Sequence, residues 1–272
     1  MNTLNAIYRP VREEIEKVKG IVKDSVAAIE EIRPRVEPYF NGEAKYMRPF
    51  LALMSAKMAP DGGLDAAAAD KLCRFAAAVE LIHTASLVHD DIIDCEPKRR
   101  GQLSLNIRYG PQNAVLLGDM LYTKALQLLA KSFSPAVMGS LLETVNKMCL
   151  GQLMEKTENN PGKRGYLNMI RLKTGLLMGF SCTGIACADE KLISGQRASA
   201  LFNFGVYAGM FYQMVDDAVD GDAGAVITDG EIESVKRLAA GELAVFPPSA
   251  YKTGILDFLD YISRYKNERA LV

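Results

Sequence analysis

The feature that most constrains the fold is a long apolar stretch, residues 65–94, which ends in a group of aspartates. The stretch is rich in Ala and Leu and contains neither Gly nor Pro, so it predicts one long helix. A helix that is apolar nearly all round has to be buried among other elements. The sequence therefore predicts a helical bundle that encloses this helix.

The rest of the 272-residue chain also has helical periodicity. Alternating, strand-like patterns extend over no more than a few residues, and the sequence contains neither an internal repeat nor a low-complexity linker. These patterns predict one all-α domain over residues 1–272, built as a single large bundle. The predicted helices are 11–32, 49–59, 65–94, 112–131, 136–158, 166–188, 195–219, 232–244 and 249–266.

Composition limits the classes of function. Basic and acidic residues nearly balance, 32 against 33, so the formal net charge is -1 and nucleic-acid binding is not expected. The first residues, 1–20, are charged and polar, unlike a signal peptide, and the longest small and apolar run, 176–188, is shorter than the roughly 20 residues that cross a bilayer. The five scattered cysteines form no zinc or redox motif. We expect a cytoplasmic protein with reduced thiols and no membrane span.

The apolar stretch ends in a first acidic motif, Asp90-Asp91-Ile92-Ile93-Asp94. On a helix, Asp90 and Asp94 lie one turn apart and face the same way. Carboxylates at the end of an apolar helix are costly unless a cation sits beside them, and Mg²⁺ combines one or two carboxylates with substrate phosphate oxygens. Taken alone, this motif is equally compatible with a solvated helix end.

A second motif of the same spacing ends another apolar helix, with carboxylates at Asp216, Asp217 and Asp220. Two such helices can face each other across the mouth of a bundle, which is how metal sites are built from facing helices. The pair of motifs is therefore far more specific than either motif alone. It predicts a site for divalent cations.

Basic residues complement the two acidic motifs. Arg99 and Arg100 closely follow the first motif, and Lys45 and Arg48 precede a proline that begins a helix. Lys173 lies in an otherwise apolar helix, where an ammonium needs an anionic partner. Guanidinium and ammonium groups are suited to phosphate oxygens, although a charged run such as 98–100 is also typical of a solvated loop.

These segments, in this order, resemble the motifs of trans-isoprenyl diphosphate synthases of the farnesyl and geranylgeranyl type. The resemblance extends from about 41 to 220, most of the chain. It implies the helical bundle of the isoprenoid synthases, with a central substrate cavity. The matching segments are 45–49, 80–94 with 99–101, 172–174 and 213–220.

The resemblance implies a magnesium-dependent prenyltransferase that joins isopentenyl diphosphate head-to-tail to an allylic prenyl diphosphate. Asp90, Asp94 and Asp216 are the implied metal ligands, while Asp91, Asp217 and Asp220 lie close by or act through water. The implied partners of the allylic diphosphate are Arg99, Lys173, Thr174 and Gln213. The implied partners of the isopentenyl diphosphate are Lys45, Arg48, His83 and Arg100. The implied catalytic group is Asp90, Asp94, Asp216, Arg99 and Lys173.

Two alternatives to this synthase remain open. A class I terpene cyclase shares the bundle but handles one diphosphate, so the second cationic set would have no substrate. Both intact acidic motifs speak against a regulatory subunit without turnover, but departures from the family pattern keep this alternative open. Relatives carry a Gly-Lys pair beyond the second motif, whereas residues 221–235 contain neither Lys nor Arg and the first cation is Lys236. The part after Asp220 is also shorter than usual.

The same resemblance bears on product length and assembly. The hydrocarbon tail is expected to run from the metals along the first-motif helix toward its N-terminal end, past Ala85 and Ser86. Both are small, so the product is predicted to be C15 to C20 or longer, with Ile82 one position that could close the tunnel. Ala85→Phe is expected to shorten the product. A homodimer is implied, with 112–131 as the interface helix.

Overall fold

The computed structural model describes residues 4–27, 45–58, 64–99, 101–157, 162–189, 193, 195–221 and 227–269, and these are almost entirely helical. The helices are α1 (Leu4–Tyr8), α2 (Arg12–Ala27), α3 (Met47–Met58), α4 (Ala66–Ile93), α5 (Leu105–Tyr109), α6 (Pro111–Ala130), α7 (Pro135–Thr157), α8 (Gly162–Ile170), α9 (Leu176–Cys182), α10 (Gly184–Ala188), α11 (Gly195–Asp220), α12 (Asp229–Glu242) and α13 (Ala250–Arg269). Two 3₁₀ turns, Arg9–Val11 and Leu243–Val245, and one π-helical segment, Arg171–Gly175, join neighbouring helices.

The predicted central helix is confirmed as α4. Asp65 caps its first turn by accepting a hydrogen bond from Ala68 N at 2.7 Å, and Asp94 is its C-terminal capping residue. Between these caps the helix packs against α2, α3, α6 and α10. Its apolar side chains are therefore enclosed on several sides, as its composition requires. The acidic motif lies at the end of this helix, where the enclosure opens.

The helix of the second motif, α11, makes its closest contacts through glycines. A Cβ placed on Gly205 would lie 2.4 Å from the carbonyl oxygen of Met178, and one on Gly209 would lie 2.9 Å from Cα of Gly175. Only a residue without a side chain allows backbones to come this close. The glycines therefore hold α11 directly against α9 and the π-helical segment, which carries Lys173 and Thr174.

The predicted helix 166–188 is not continuous. It is divided into α8, the π-helical segment, α9 and α10. One break lies at the segment that contains Lys173 and Thr174, and π-helical turns of this kind often occur at functional sites. The other lies at Thr183, whose hydroxyl donates to the carbonyl oxygen of Phe180 at 2.7 Å and whose main-chain N–H donates to the same oxygen at 3.1 Å. Hydrophobic periodicity did not reveal either break, since it persists through both.

The loop that follows the first motif contains a small antiparallel pair, β1 (Lys98–Arg99) and β2 (Gln102–Leu103). Gly101 turns the chain between them with a φ of 75°. Two residues per strand are too few for a detectable alternating pattern, which is why the sequence predicted a loop here.

The all-α prediction is confirmed, and one buried apolar cluster extends from Ile7 in α1 to Ile262 in α13. The single domain over residues 1–272 stays a prediction, and the predicted helix ends at 32 and 59 lie outside the described residues. Of the helices in the described part of the chain, none is long and apolar enough to span a bilayer.

Candidate active site

The ends of α4 and α11 meet at one cavity of about 490 Å³. It brings together most of the residues that the sequence predicted for metal and diphosphate binding, from helices far apart in the chain. Those that line it are Lys45, Arg48, His83, Asp90, Asp94, Arg99, Lys173, Thr174, Gln213, Asp216 and Asp220. The middle aspartates of the two motifs, Asp91 and Asp217, do not line it, and Arg100 lies outside the described residues.

Asp91 is buried and holds the arginine that follows the first motif. Its side chain is 1% exposed, and its Oδ1 accepts from Arg99 Nε at 2.7 Å and from Nη2 at 2.5 Å. The amide of Asn106 donates to the main-chain oxygen of Asp91 at 2.9 Å. Asp91 therefore positions Arg99 at the cavity wall, and its predicted role as a metal ligand stays a prediction.

Asp217, the middle aspartate of the second motif, is held by neutral groups. The phenol of Tyr166 donates to Oδ2 at 2.6 Å and the amide of Gln213 donates to Oδ1 at 2.7 Å. Gln213 in turn accepts from the Thr174 hydroxyl at 2.8 Å. Burial raises the pKa of Asp217, while the two hydrogen bonds oppose that rise. This chain of bonds fixes Gln213 and Thr174, both predicted diphosphate contacts, relative to α11.

Two charged neighbours near the end of α7 contact predicted site residues. Glu155 accepts from Lys173 Nζ at 2.5 Å, so the ammonium expected to need an anionic partner has one. Lys156 forms an ion pair with Asp94 of the first motif. Sequence reasoning missed Glu155, Lys156 and Tyr166. Adjacent opposite charges on a helix are ordinary, and their partners are distant in the chain.

The first aspartate of the first motif is a carboxylate with a perturbed pKa. Burial raises the pKa of Asp90 to about 6; the ammonium of Lys173 opposes the rise, and the Asp94 carboxylate adds to it. An ionised Asp90 is therefore costly without a cation at the cavity. Binding of a divalent cation would favour the ionised form.

The donors at the cavity fit Mg²⁺ that arrives together with a diphosphate. Within the described ranges, no three acidic, histidine or cysteine side chains converge on one metal position. The cavity is nevertheless lined by four carboxylates of the two motifs, Asp90, Asp94, Asp216 and Asp220, in addition to Glu80, and these supply oxygen ligands. Because Mg²⁺ commonly uses one or two carboxylates and takes its other ligands from water and phosphate, a fully preformed protein cage is not required.

A second cavity of about 490 Å³ adjoins the first and shares Ser86, Asp90, Met148 and Lys173 with it. Its other walls come from the C-terminal end of α4 and from α6 and α7. The additional lining residues are His89, Ile93, Tyr122, Cys149, Gln152, Leu153 and Lys156.

The three predicted chain-length residues have different surroundings. Ser86 lines both cavities. Ala85 and Ile82 are fully buried in the core and line neither. The apolar space next to the first motif thus extends from Ser86 toward α6 and α7. The predicted path along α4 past Ala85 stays a prediction.

Lys236, the first cation after the second motif, lies elsewhere. It forms an ion pair with Asp260 at 2.7 Å, between α12 and α13, and it does not line the cavity.

The comparisons with a family model and with known proteins agree on one family. Residues 30–227 match the family model described as polyprenyl synthetase. The chain is 32% identical over 224 residues to the geranylgeranyl pyrophosphate synthase of Geoglobus acetivorans, covering 75% of this chain and 68% of that protein. It is 35% identical over 182 residues to heptaprenyl diphosphate synthase component 2 of Bacillus subtilis, covering 65% of this chain and 49% of that protein. The matched region thus spans about half to two thirds of these relatives.

Solved structures show the same fold. The chain is similar to a polyprenyl synthase from Caulobacter crescentus, complexed with calcium and isoprenyl diphosphate, with a TM-score of 0.84 at 21% identity over 96% of this chain and 97% of that one. It is also similar to a geranylgeranyl pyrophosphate synthetase from Geoglobus acetivorans, with a TM-score of 0.79 at 23% identity.

Proposed function

We propose, from the premise that this chain belongs to the polyprenyl synthetase family, that it condenses isopentenyl diphosphate head-to-tail with an allylic prenyl diphosphate and releases pyrophosphate. One observation carries the proposal. A single cavity combines carboxylates from the ends of two helices with Lys and Arg side chains from three other segments of the chain. Such a cavity has the charges needed to bind two diphosphates and to stabilise a leaving pyrophosphate.

The metal-binding role belongs to Asp90, Asp94 and Asp216, with Asp220 close by. Mg²⁺ held there would supply positive charge to the diphosphate of the allylic substrate, which loses its bond to carbon during the reaction. The raised pKa of Asp90 supports this role, because a buried carboxylate without a matched cation is costly.

The allylic diphosphate is proposed to bind Arg99, Lys173, Thr174 and Gln213. Both cations of this set already have an anionic neighbour that orients them: Asp91 holds Arg99, and Glu155 contacts Lys173. Each cation keeps further donors for phosphate oxygens, since guanidinium has five N–H groups and ammonium has three.

The isopentenyl diphosphate is proposed to bind Lys45, Arg48 and His83 at the opposite part of the same cavity, with Arg100 as a further predicted contact. Two separate sets of cations favour a condensation of two diphosphates over the cyclase alternative, which handles one. The cyclase would leave Lys45 and Arg48 without a ligand.

The reaction begins when the allylic C–O bond breaks and leaves a carbocation and pyrophosphate. Arg99 and Lys173 stabilise the negative charge as it develops on the leaving group. The double bond of isopentenyl diphosphate then attacks the cation, forming the new C–C bond, and a proton is lost to a pyrophosphate oxygen.

Product length is proposed to depend on the second cavity, into which the growing tail extends from Ser86 toward α6 and α7. Its volume of about 490 Å³ favours a product of C15 to C20 or longer. Ser86→Phe is expected to shorten the product, because an aromatic ring would project into this space. Ala85→Phe tests the other predicted chain-length position, and because Ala85 is fully buried in the core, this change should also lower stability. Chromatography of the products distinguishes the two.

A homodimer is proposed through α6 and α7. One face of α6 packs against α4, while its other face exposes Val115 and Leu116, and α7 adds exposed leucines at 142, 150 and 153. A row of exposed apolar side chains on adjacent helices is typical of an interface. Leu116→Glu should shift the protein to monomers in sedimentation velocity. Leu238→Glu, at an exposed leucine on α12, should leave the dimer intact.

The proposed activity is tested by incubating the purified protein with isopentenyl diphosphate, Mg²⁺ and allylic primers of increasing length. Linear elongated products would support the synthase, and cyclic hydrocarbons would support the cyclase instead. Binding without turnover would favour a subunit that needs a second chain, a possibility raised by the relative described as component 2 of a synthase.

A further inference from the structure

Lys156 is a charged residue of the cavity region to which the family resemblance assigns no role. It lies in the last turn of α7, and its Nζ donates to Oδ1 of Asp94, a proposed metal ligand. It also lines the second cavity beside Asp90 and Lys173. The ammonium of Lys156 therefore lies directly beside a carboxylate that is proposed to bind metal.

This ion pair is easily exchanged. The Lys156 side chain is 44% exposed, and ion pairs with that much contact with water contribute little to stability. A divalent cation bound to Asp94 would repel the neighbouring ammonium. The nearest anion brought by the same metal is the diphosphate, whose charged oxygens form stronger hydrogen bonds with an ammonium than neutral acceptors do. The flexible lysine stem allows such a change of partner.

The segment that follows the second motif supplies no nearby cation, so a cation from another element can contact the diphosphate there. Residues 221–235 contain neither Lys nor Arg, and Lys236 is held by Asp260 at 2.7 Å between α12 and α13. The segment that follows the second motif therefore lacks a nearby cation in sequence, whereas Lys156 is already at the cavity edge.

We propose that Lys156 is a diphosphate-binding residue, which holds Asp94 in the metal-free protein and transfers its hydrogen bond to the allylic diphosphate when the metal arrives. This inference rests on the proposed function. It makes Lys156 a substrate contact contributed by α7, in addition to those on the π-helical segment and on α11.

The inference is tested with Lys156→Met, which keeps the length and apolar stem of the side chain but removes the charge. The matched control is Lys147→Met, at a lysine of the same helix whose side chain is 45% exposed and paired with Glu143. Binding of pyrophosphate in the presence of Mg²⁺ is measured by calorimetry on the full chain, followed by steady-state kinetics. Both lysines are well exposed, so both variants should keep the wild-type circular dichroism spectrum.

We expect Lys156→Met to weaken binding of Mg²⁺ and pyrophosphate about tenfold, the effect of losing one charge-assisted hydrogen bond. Lys147→Met should stay within about twofold, and Lys156→Arg should retain most of the affinity. The Michaelis constant for the allylic primer should rise in Lys156→Met.

Unchanged or tighter binding of pyrophosphate by Lys156→Met, with normal turnover, would overturn the role of Lys156 and leave the proposed function standing. Failure of the wild-type protein to bind Mg²⁺ and pyrophosphate would instead overturn the proposed function, and this inference with it.

Discussion

Asp91 and Asp217 occupy the same position in their two motifs, yet a guanidinium holds the first and a phenol and an amide hold the second. Asp91 forms its ion pair with Arg99, eight residues further along the chain. The partners of Asp217 lie on α11 itself and on α8, 51 residues away. Two motifs of the same spacing therefore differ in the side chains that hold their middle aspartates.

The difference follows from what each aspartate has to position. At the first motif a charge–charge contact brings Arg99, on a two-residue strand, to the cavity wall. At the second motif a chain of hydrogen bonds, donated by uncharged side chains and ending at the Asp217 carboxylate, fixes Gln213 and Thr174. The ion pair between Asp91 and Arg99 matches a buried charge and is costly to break, whereas the hydrogen bonds at Asp217 are weaker.

The largest effect is expected at the first motif. Arg99→Met leaves the buried Asp91 carboxylate without its ion pair and should lower the free energy of unfolding by about 3 kcal/mol. Urea unfolding measures the change. Arg74→Met, at an exposed ion pair with Asp70, should lower it by less than about 1 kcal/mol. Equal losses in the two variants would contradict the distinction between a buried and an exposed pair.

The next effect concerns pH in the absence of metal. The pKa of Asp90 in the folded protein, about 6 against an ordinary 3.8, means that ionisation destabilises the fold. The cost is absent below pH 3.8, grows between 3.8 and about 6, and reaches about 3 kcal/mol above that.

Asp90→Asn should therefore stabilise the metal-free protein at pH 8, with little difference from the wild type near pH 4, while lowering activity at least about 100-fold. Thermal unfolding at the two pH values checks the prediction. A variant that is equally or less stable at pH 8 would show that Asp90 is already compensated by its neighbours.

A smaller effect is expected where glycines position the second motif. In Gly205→Ala the new methyl group would meet the carbonyl oxygen of Met178 at 2.4 Å, so the backbones must move apart at a cost of about 1–3 kcal/mol. Gly139→Ala in α7 meets nothing within 4 Å and should stabilise the helix by about 0.5–1 kcal/mol. The opposite signs are the test, measured as changes in thermal stability.

The smallest effect is expected at the hydrogen bonds that uncharged side chains donate to Asp217 in the second motif. Tyr166→Phe removes one hydrogen bond to Asp217 and should cost about 1 kcal/mol. Tyr207→Phe, on α11, is the control and should have almost no effect. If Tyr166→Phe proved as destabilising as Arg99→Met, the contrast between the two motifs would be lost.

Much of the molecule was predictable from the sequence because its signals are local. The caps at Asp65 and Asp94, the apolar stretch between them and the spacing of both motifs are properties of neighbouring residues, and the structure places helix α4 at these bounds. The outer carboxylates of both motifs and most of the predicted cations also line one cavity, as the facing of two motif helices implies.

By itself, the sequence determined the helical class, the long central helix and the candidate residues of the site. Only the tertiary structure decided which of them meet. The Tyr166 bond to Asp217, the Lys156 pair with Asp94 and the Glu155 contact with Lys173 each join different elements. Their physical reason is the packing distance between elements, which no local pattern encodes. At the Lys173 contact Gly151 sets this distance, since a Cβ there would lie 2.5 Å from the main-chain nitrogen of Lys173. The two acidic motifs thus share a spacing but acquire different partners.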